Sequence, residues 1–195
     1  MKLNKVAQTL QQSGFSVQQF DVATDAADYL NQAIDGKTVG FGGSMTLEAM
    51  DLWNRLNAHN TVYSHLHGFP AGPEAATAQI YISSANALSE TGELVLIDGD
   101  GNRASAVLFG HEKVYFVISK NKLASTYEEA VWRARNIAAP LNARRKQKNT
   151  PCAIKADRCY DCKNADRICR AMVTIWQPLT SMEMEVVLVN EELGF

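Results

Sequence analysis

The chain has 195 residues, of which 46% are hydrophobic and 21% charged, and its net charge is −2. This is the makeup of an ordinary globular protein, long enough to bury a full core without disulfide or metal staples. No apolar run approaches the roughly 20 residues needed to span a membrane.

The N-terminal MKLNKVAQTLQQSG lacks an apolar signal core. Leu3, Val6, Ala7 and Leu10 instead mark an amphipathic helix. Together with the missing span, this predicts a cytoplasmic protein with reduced thiols. Gly14 reads as the C-cap and FSVQQF as a short strand. Thr24 is the expected cap of a helix carrying Ala26, Ala27, Tyr29, Leu30, Ala33 and Ile34. TVGFGGSMT is a strand running into glycines, followed by one helix with Leu47, Met50 and Trp53. TVYS is a strand, and His65 to Glu74 a loop. QIYISS and ELVLI are strands separated by a turn at Thr91-Gly92. KVYFVIS reads as a buried strand, Tyr127 to Ala143 as a long helix, and MEVVLVN as the last strand. Alternating strands and helices predict an α/β fold: an open, mostly parallel sheet with helices on both faces. The expected units are an α/β domain over 1–148, a cysteine module over 149–172, and a terminal strand in 173–195 that returns to the α/β domain.

All four cysteines fall between Cys152 and Cys169, with Cys159 and Cys162 between them. The spacing C-x6-C-x2-C-x6-C suits one tetrahedral centre, either Cys₄ zinc or a [4Fe–4S] cluster. Two disulfides, a redox-active Cys159–Cys162 pair and inert thiols are the alternatives. Between Arg144 and Arg170, nine Lys or Arg face three Asp. Lys155, Arg158, Lys163, Arg167 and Arg170 would offset the thiolate charge. Only Tyr160 interleaves as an aromatic among these cations, which argues against nucleic acid as the partner.

GFGGSMTLEAM has the chemistry of an anion loop. Gly40, Gly42 and Gly43 allow close backbone approach, and Ser44 and Thr46 add hydroxyls. The following helix N-terminus would contribute N–H groups and a positive dipole. No Gly-Lys-Ser/Thr follows, so this is not a P-loop. A plain strand–helix turn capped by Ser44 or Thr46 is the alternative. From Ser83 to Arg103, the residues Asn86, Glu90, Asp98, Asn102 and Arg103 crowd strand ends and turns. Asn86, Asn102 and Arg103 are candidates for ligand binding. Glu90 is a candidate base or nucleophile. His65 and His67 lie in a loop and read more readily as solvated than as ligands.

GFGGSMTLEAM, ISSANALSETGELVLIDGDGNRASAVLFG, ISKNKL, RARNIAAPLNARR, the cysteine run and VLVNEELGF resemble the lactate-utilisation (LUD) domain family over nearly the whole chain. The resemblance is nearest to single-domain members with a C-terminal cysteine motif. It implies the fold shared by ribose-5-phosphate isomerases, glucosamine-phosphate deaminases and CoA transferases, with an anion held at Gly42, Gly43, Ser44 and Thr46. Glu90 lies in S-E-T-G, which resembles the catalytic S-E-N-G of CoA transferases except at Thr91. The family link implies a part in oxidising lactate to pyruvate beside iron–sulfur partner proteins. Three functions are then in view. They are an accessory protein binding a small anionic metabolite, an enzyme on phosphorylated sugars or acyl-CoA, and an electron-transfer or structural subunit of an oxidoreductase.

Overall fold

The computed structural model describes residues 3–68 and 73–195. Positions 69–72 of the expected loop therefore lie outside the described residues. In chain order the strands are β1 (Ser16–Phe20), β2 (Thr38–Phe41), β3 (Thr61–Ser64), β4 (Ile80–Ser83), β5 (Ala87–Ser89) and β6 (Leu94–Asp98). They continue with β7 (Lys113–Ser119), β8 (Leu123–Ala124), β9 (Ala171–Ile175) and β10 (Glu183–Val189).

Six of them form an all-parallel sheet in the order β1-β10-β7-β4-β2-β3. β7 and β10 pair along their full lengths inside it, and their apolar runs are covered on both faces, as parallel strands require. Alternate residues point to opposite sides. Phe116, Ile118, Val186 and Leu188 join Val6 and Leu10 of the helix Leu3–Gln12. Val117 and Val187 join Leu30 of the helix Ala23–Ala33 and Leu56 of the helix Leu52–Asn57. The expected open α/β sheet, clad on both faces, is what the chain forms.

A second, four-stranded sheet in the order β8-β5-β6-β9 was not expected. It is mixed, with β5–β6 and β6–β9 antiparallel and β5–β8 parallel. β9 leaves the cysteine segment directly and pairs with β6, and β10 then enters the main sheet between β1 and β7.

Three local expectations need correction. Thr24 does not cap its helix. The helix begins at Ala23, whose amide donates to the Glu191 carboxylate at 3.2 Å, a partner 168 residues away. The single helix after the glycine loop is two short ones, Met45–Ala49 and Leu52–Asn57. Asp51 separates them in the left-handed region (φ 51°), a conformation Asp tolerates, and its carboxylate accepts from Asn54 Nδ2 at 2.6 Å. The helix from Tyr127 runs on through Arg145, but five residues, Ala134–Ala138, are wound as a π-helix. Its start is capped by Thr126: the Glu129 amide donates to Thr126 Oγ1, and the Glu129 carboxylate accepts from the amide of Ser125, one residue before the cap.

Phe116 is fully buried at the middle of the main sheet. Phe116→Ala should cost about 3–5 kcal/mol in a chemical denaturation series. A loss under about 1 kcal/mol would mean that this cluster collapses around the deletion.

Candidate functional site

The carboxyl ends of the parallel strands open into a cavity of about 540 Å³. β2 delivers Gly43 and Ser44 to it, β4 delivers Ser84 and Asn86, and β7 delivers Lys122 through the 3-10 turn Lys120–Lys122. β6 adds Asp98 and, one turn later, Asn102 and Arg103. From β2 the chain moves outward to β3, then returns to β4, beyond which β7 and β10 lie on the other side. Strand order thus reverses between β2 and β4, which is where open parallel sheets form a ligand crevice. The outer wall is basic. Arg145, Lys146 and Lys148 line it together with Arg167 and Arg170 of the cysteine segment. Among the described residues, seven Lys or Arg line the cavity against three Asp, which gives it a positive balance of charge.

Lys122 is the least expected member. It is 4% exposed, and its Nζ donates to Thr46 Oγ1 at 2.7 Å and to Ser84 Oγ at 2.9 Å. Among the described residues no carboxylate pairs with it. Burial, then the charges of Arg133 and Arg103, push its pKa down to about 7. Thr46 is itself fully buried and donates to the Leu193 carbonyl at 3.1 Å. Thr46 therefore sits behind Lys122, and of the predicted loop residues Gly42, Gly43, Ser44 and Thr46 it is Gly43 and Ser44 that line the cavity.

Arg103 is held by Asn86 and β6. Its Nη2 donates to Asn86 Oδ1 at 2.8 Å and to the Ile97 carbonyl at 2.6 Å. Asn86 Oδ1 also accepts from the Ile97 amide at 2.8 Å, so this asparagine orients the arginine. Burial lowers the Arg103 pKa, and the nearby Asp98 acts against that. Burial opposes ionisation of Asp98, but donation by the Ala104 amide, the Arg103 charge and the Gly99 amide together hold its carboxyl below the usual range. The Asp98 carboxylate thus caps the turn that carries Arg103.

Space, rather than dihedral freedom, is what the glycine loop requires. Neither Gly42 nor Gly43 has positive φ. A Cβ on Gly42 would lie 2.6 Å from the Ser83 hydroxyl, and one on Gly43 would lie 2.6 Å from His65 Cε1. The helix after the loop is only five residues long, so the charge that would hold an anion comes from side chains rather than a helix dipole. Ser44 supplies the backbone N-cap, and its side chain makes no capping bond. His65 lines the cavity, with its pKa lowered by burial and then by Lys146 and Arg145. His67 faces elsewhere, bonded to Glu48 at 3.1 Å and stacked on Trp53.

Glu90 is not brought to this cavity. Its carboxylate receives Lys5 Nζ of the first helix at 2.8 Å, and the expected base or nucleophile lies apart from Lys122, Arg103 and the glycine loop.

The cysteines are four free thiols, all partly buried. Cys159 and Cys169 share a smaller crevice with Arg135 and Arg167. Burial raises the Cys169 pKa; Arg167 opposes this, while Cys159 and Cys152 add to it. The donor chemistry suits a thiolate metal centre. The placement does not close one, since no three His, Cys, Asp or Glu side chains among the described residues gather as a metal group. The segment is nonetheless anchored. The Arg170 amide donates to the Asp98 carbonyl at 2.8 Å, and a Cβ on Gly99 would meet the Ile168 carbonyl at 2.7 Å.

Sequence reasoning missed Lys122, Ser84 and the cavity role of the basic tail. The available signal was the charge excess between Arg144 and Arg170, of which Lys155, Arg158, Lys163, Arg167 and Arg170 were read as offsetting the thiolates. Much of it faces the cavity.

Fold and cavity together define an open α/β protein with a cationic crevice at its strand ends. The LUD domain matches residues 3–189, and the chain belongs to that family. A crystal structure of a DUF162 family protein from Deinococcus radiodurans has a similar fold: TM-score 0.58, 12% identity, covering 96% of this chain and 95% of that one. A search of curated proteins gives no match. No helix among the described residues is long and apolar enough to cross a membrane.

The Lys122 pKa is about 7 in the folded chain against an ordinary value of 10.5. Between these values the unfolded chain binds more protons, so stability rises with pH there. Below about pH 7 the folded state carries the full penalty of the buried charge. Relative to Lys122→Met, the parent should gain up to about 1.4 kcal/mol per pH unit between roughly pH 7 and 10. Urea denaturation of both proteins across this range is the check. A pH-independent difference would contradict the assignment.

Proposed function

We propose that this protein binds a small anionic metabolite in the strand-end cavity and serves as a ligand-binding or accessory component of lactate or related organic-acid utilisation. The observation that carries the reading is the cation excess around Ser44, Arg103 and Lys122 at the point where strand order reverses. The cavity volume falls within the ~300–1,000 Å³ of small-molecule sites. LUD domain membership supports the link to lactate utilisation at the level of the family.

In this reading, the Ser44 hydroxyl donates to the anion, Arg103 neutralises it, and Arg145 and Lys146 draw it in. The readout is calorimetric titration with phosphate, lactate and pyruvate. Ser44→Ala should weaken the best of these by about 1–2 kcal/mol, the scale of a hydrogen bond to a charged group. Arg145→Gln combined with Lys146→Gln should weaken binding and flatten its dependence on salt. Unchanged affinity in both variants would place the anion elsewhere.

The same reading gives the cysteine segment a zinc ion or a [4Fe–4S] cluster held by Cys152, Cys159, Cys162 and Cys169. Its support is the confinement of all four thiols to one segment, with Arg135 and Arg167 beside them. Closing the centre requires the thiols to turn toward one another. Iron–sulfur oxidoreductase subunits are the partners this reading implies. Elemental analysis and a visible spectrum of protein purified without oxygen should show one centre per chain, and Cys159→Ser should reduce it to near zero. Metal-free parent protein with four equally reactive thiols would remove the centre from the account.

A further inference from the structure

A buried lysine with a purely structural role is normally neutralised by a carboxylate, because an unpaired charge out of water costs several kcal/mol. Lys122 has no such partner among the described residues and is flanked by two arginines instead. Its bonding fits a neutral amine. An NH₂ group has two N–H bonds and one lone pair. The hydroxyls of Thr46 and Ser84 accept both N–H bonds, which leaves the lone pair without a partner among the described residues. Ser84 and Lys122 both line the cavity, and Nζ bonds the Ser84 hydroxyl there.

We propose that Lys122 is a carbonyl-reactive amine, condensing with a small carbonyl compound that carries an anionic group and is held in the cavity. The inference rests on the anion site proposed above and adds the chemistry of the bound molecule. The lone pair of Nζ attacks the carbonyl carbon, forming a C–N bond while the C=O π pair moves to oxygen. A proton passes from nitrogen to that oxygen, giving a carbinolamine. Loss of water then leaves an imine, so that amine and carbonyl are converted to imine and water with no net oxidation or reduction. Arg103, Arg145 and Lys146 hold the anionic group and set the orientation. The lowered pKa supports the step, because about half of Lys122 is unprotonated at pH 7, against roughly one in 10³ for an exposed lysine.

The test is reductive trapping. The full chain is incubated with pyruvate, dihydroxyacetone phosphate or acetone at pH 7 in the presence of cyanoborohydride, which delivers hydride to an iminium carbon. Mass spectrometry counts adducts, and peptide mapping locates them. The expected result is one adduct per chain at Lys122 with at least one of the two anionic carbonyls, at roughly 500-fold the labelling of the average surface lysine. Inorganic phosphate should suppress it, and acetone should label Lys122 far less. Whichever of pyruvate and dihydroxyacetone phosphate reacts faster separates a carboxylate ligand from a phosphate ligand. Lys122→Arg should lose the adduct; if that variant does not fold, the mapped site in the parent decides. Labelling spread evenly over surface lysines, or none at Lys122, overturns the proposal. If phosphate still binds by calorimetry in that case, only the covalent step falls. If phosphate does not bind, the anion site falls with it.

Discussion

One amine out of water, held by two hydroxyls and by no carboxylate among the described residues, sets the terms for the rest of the site. Lys122 Nζ bridges Thr46, just after β2, and Ser84, just after β4. Those two strands flank the reversal of strand order, so the lysine ties together the two halves of the sheet where they diverge. A protonated lysine there would require an anion to offset its desolvation, and a neutral lysine has a lone pair to share. Either state ties the fold to the contents of the cavity. The supports reach further. Arg133 donates from Nε to the Asn121 carbonyl at 2.8 Å and from Nη1 to the Asn86 carbonyl at 2.5 Å. One side chain on the long helix thereby fixes the backbone beside Lys122 and the residue that orients Arg103.

The cysteine segment and the cavity are neighbours that share residues. Arg167 donates to the Cys162 and Cys169 carbonyls at 2.8 Å and also lines the cavity. Arg170 lines both the cavity and the thiol crevice. Anchoring at Asp98 and Gly99 places the segment against the same turn that carries Arg103. The thiols and the cavity thus share Arg167 and Arg170 as cationic neighbours.

Much of this was legible in the sequence. The parallel strands announce themselves because burial on both faces demands uninterrupted apolar runs, as in KVYFVIS and MEVVLV. The second sheet did not, because β8 is two residues long and β9 begins on exposed Ala171 and Met172, directly after the cysteines. The helix cap at Ala23 was invisible locally, since its acceptor, Glu191, is distant in sequence. At the site, Gly43, Ser44, Asn86, Asn102 and Arg103 were readable as polar or flexible residues gathered at strand ends. Lys122 was not, because a lysine in KNKL reads as a solvated turn, and only the tertiary fold puts Thr46 and Ser84 around it. Glu90 stood out through a short motif likeness, and the fold places it beside Lys5, apart from the cavity.

The account turns on the charge state of Lys122 and its response to an anion. NMR detection of the side-chain ζ-nitrogen, assigned by comparison with Lys122→Arg, measures both in one titration. The prediction is a midpoint about 7 without ligand, moving upward when phosphate fills the cavity, since a nearby negative charge favours the ammonium form. A midpoint near the ordinary ~10.4, or one that phosphate does not move, would contradict it.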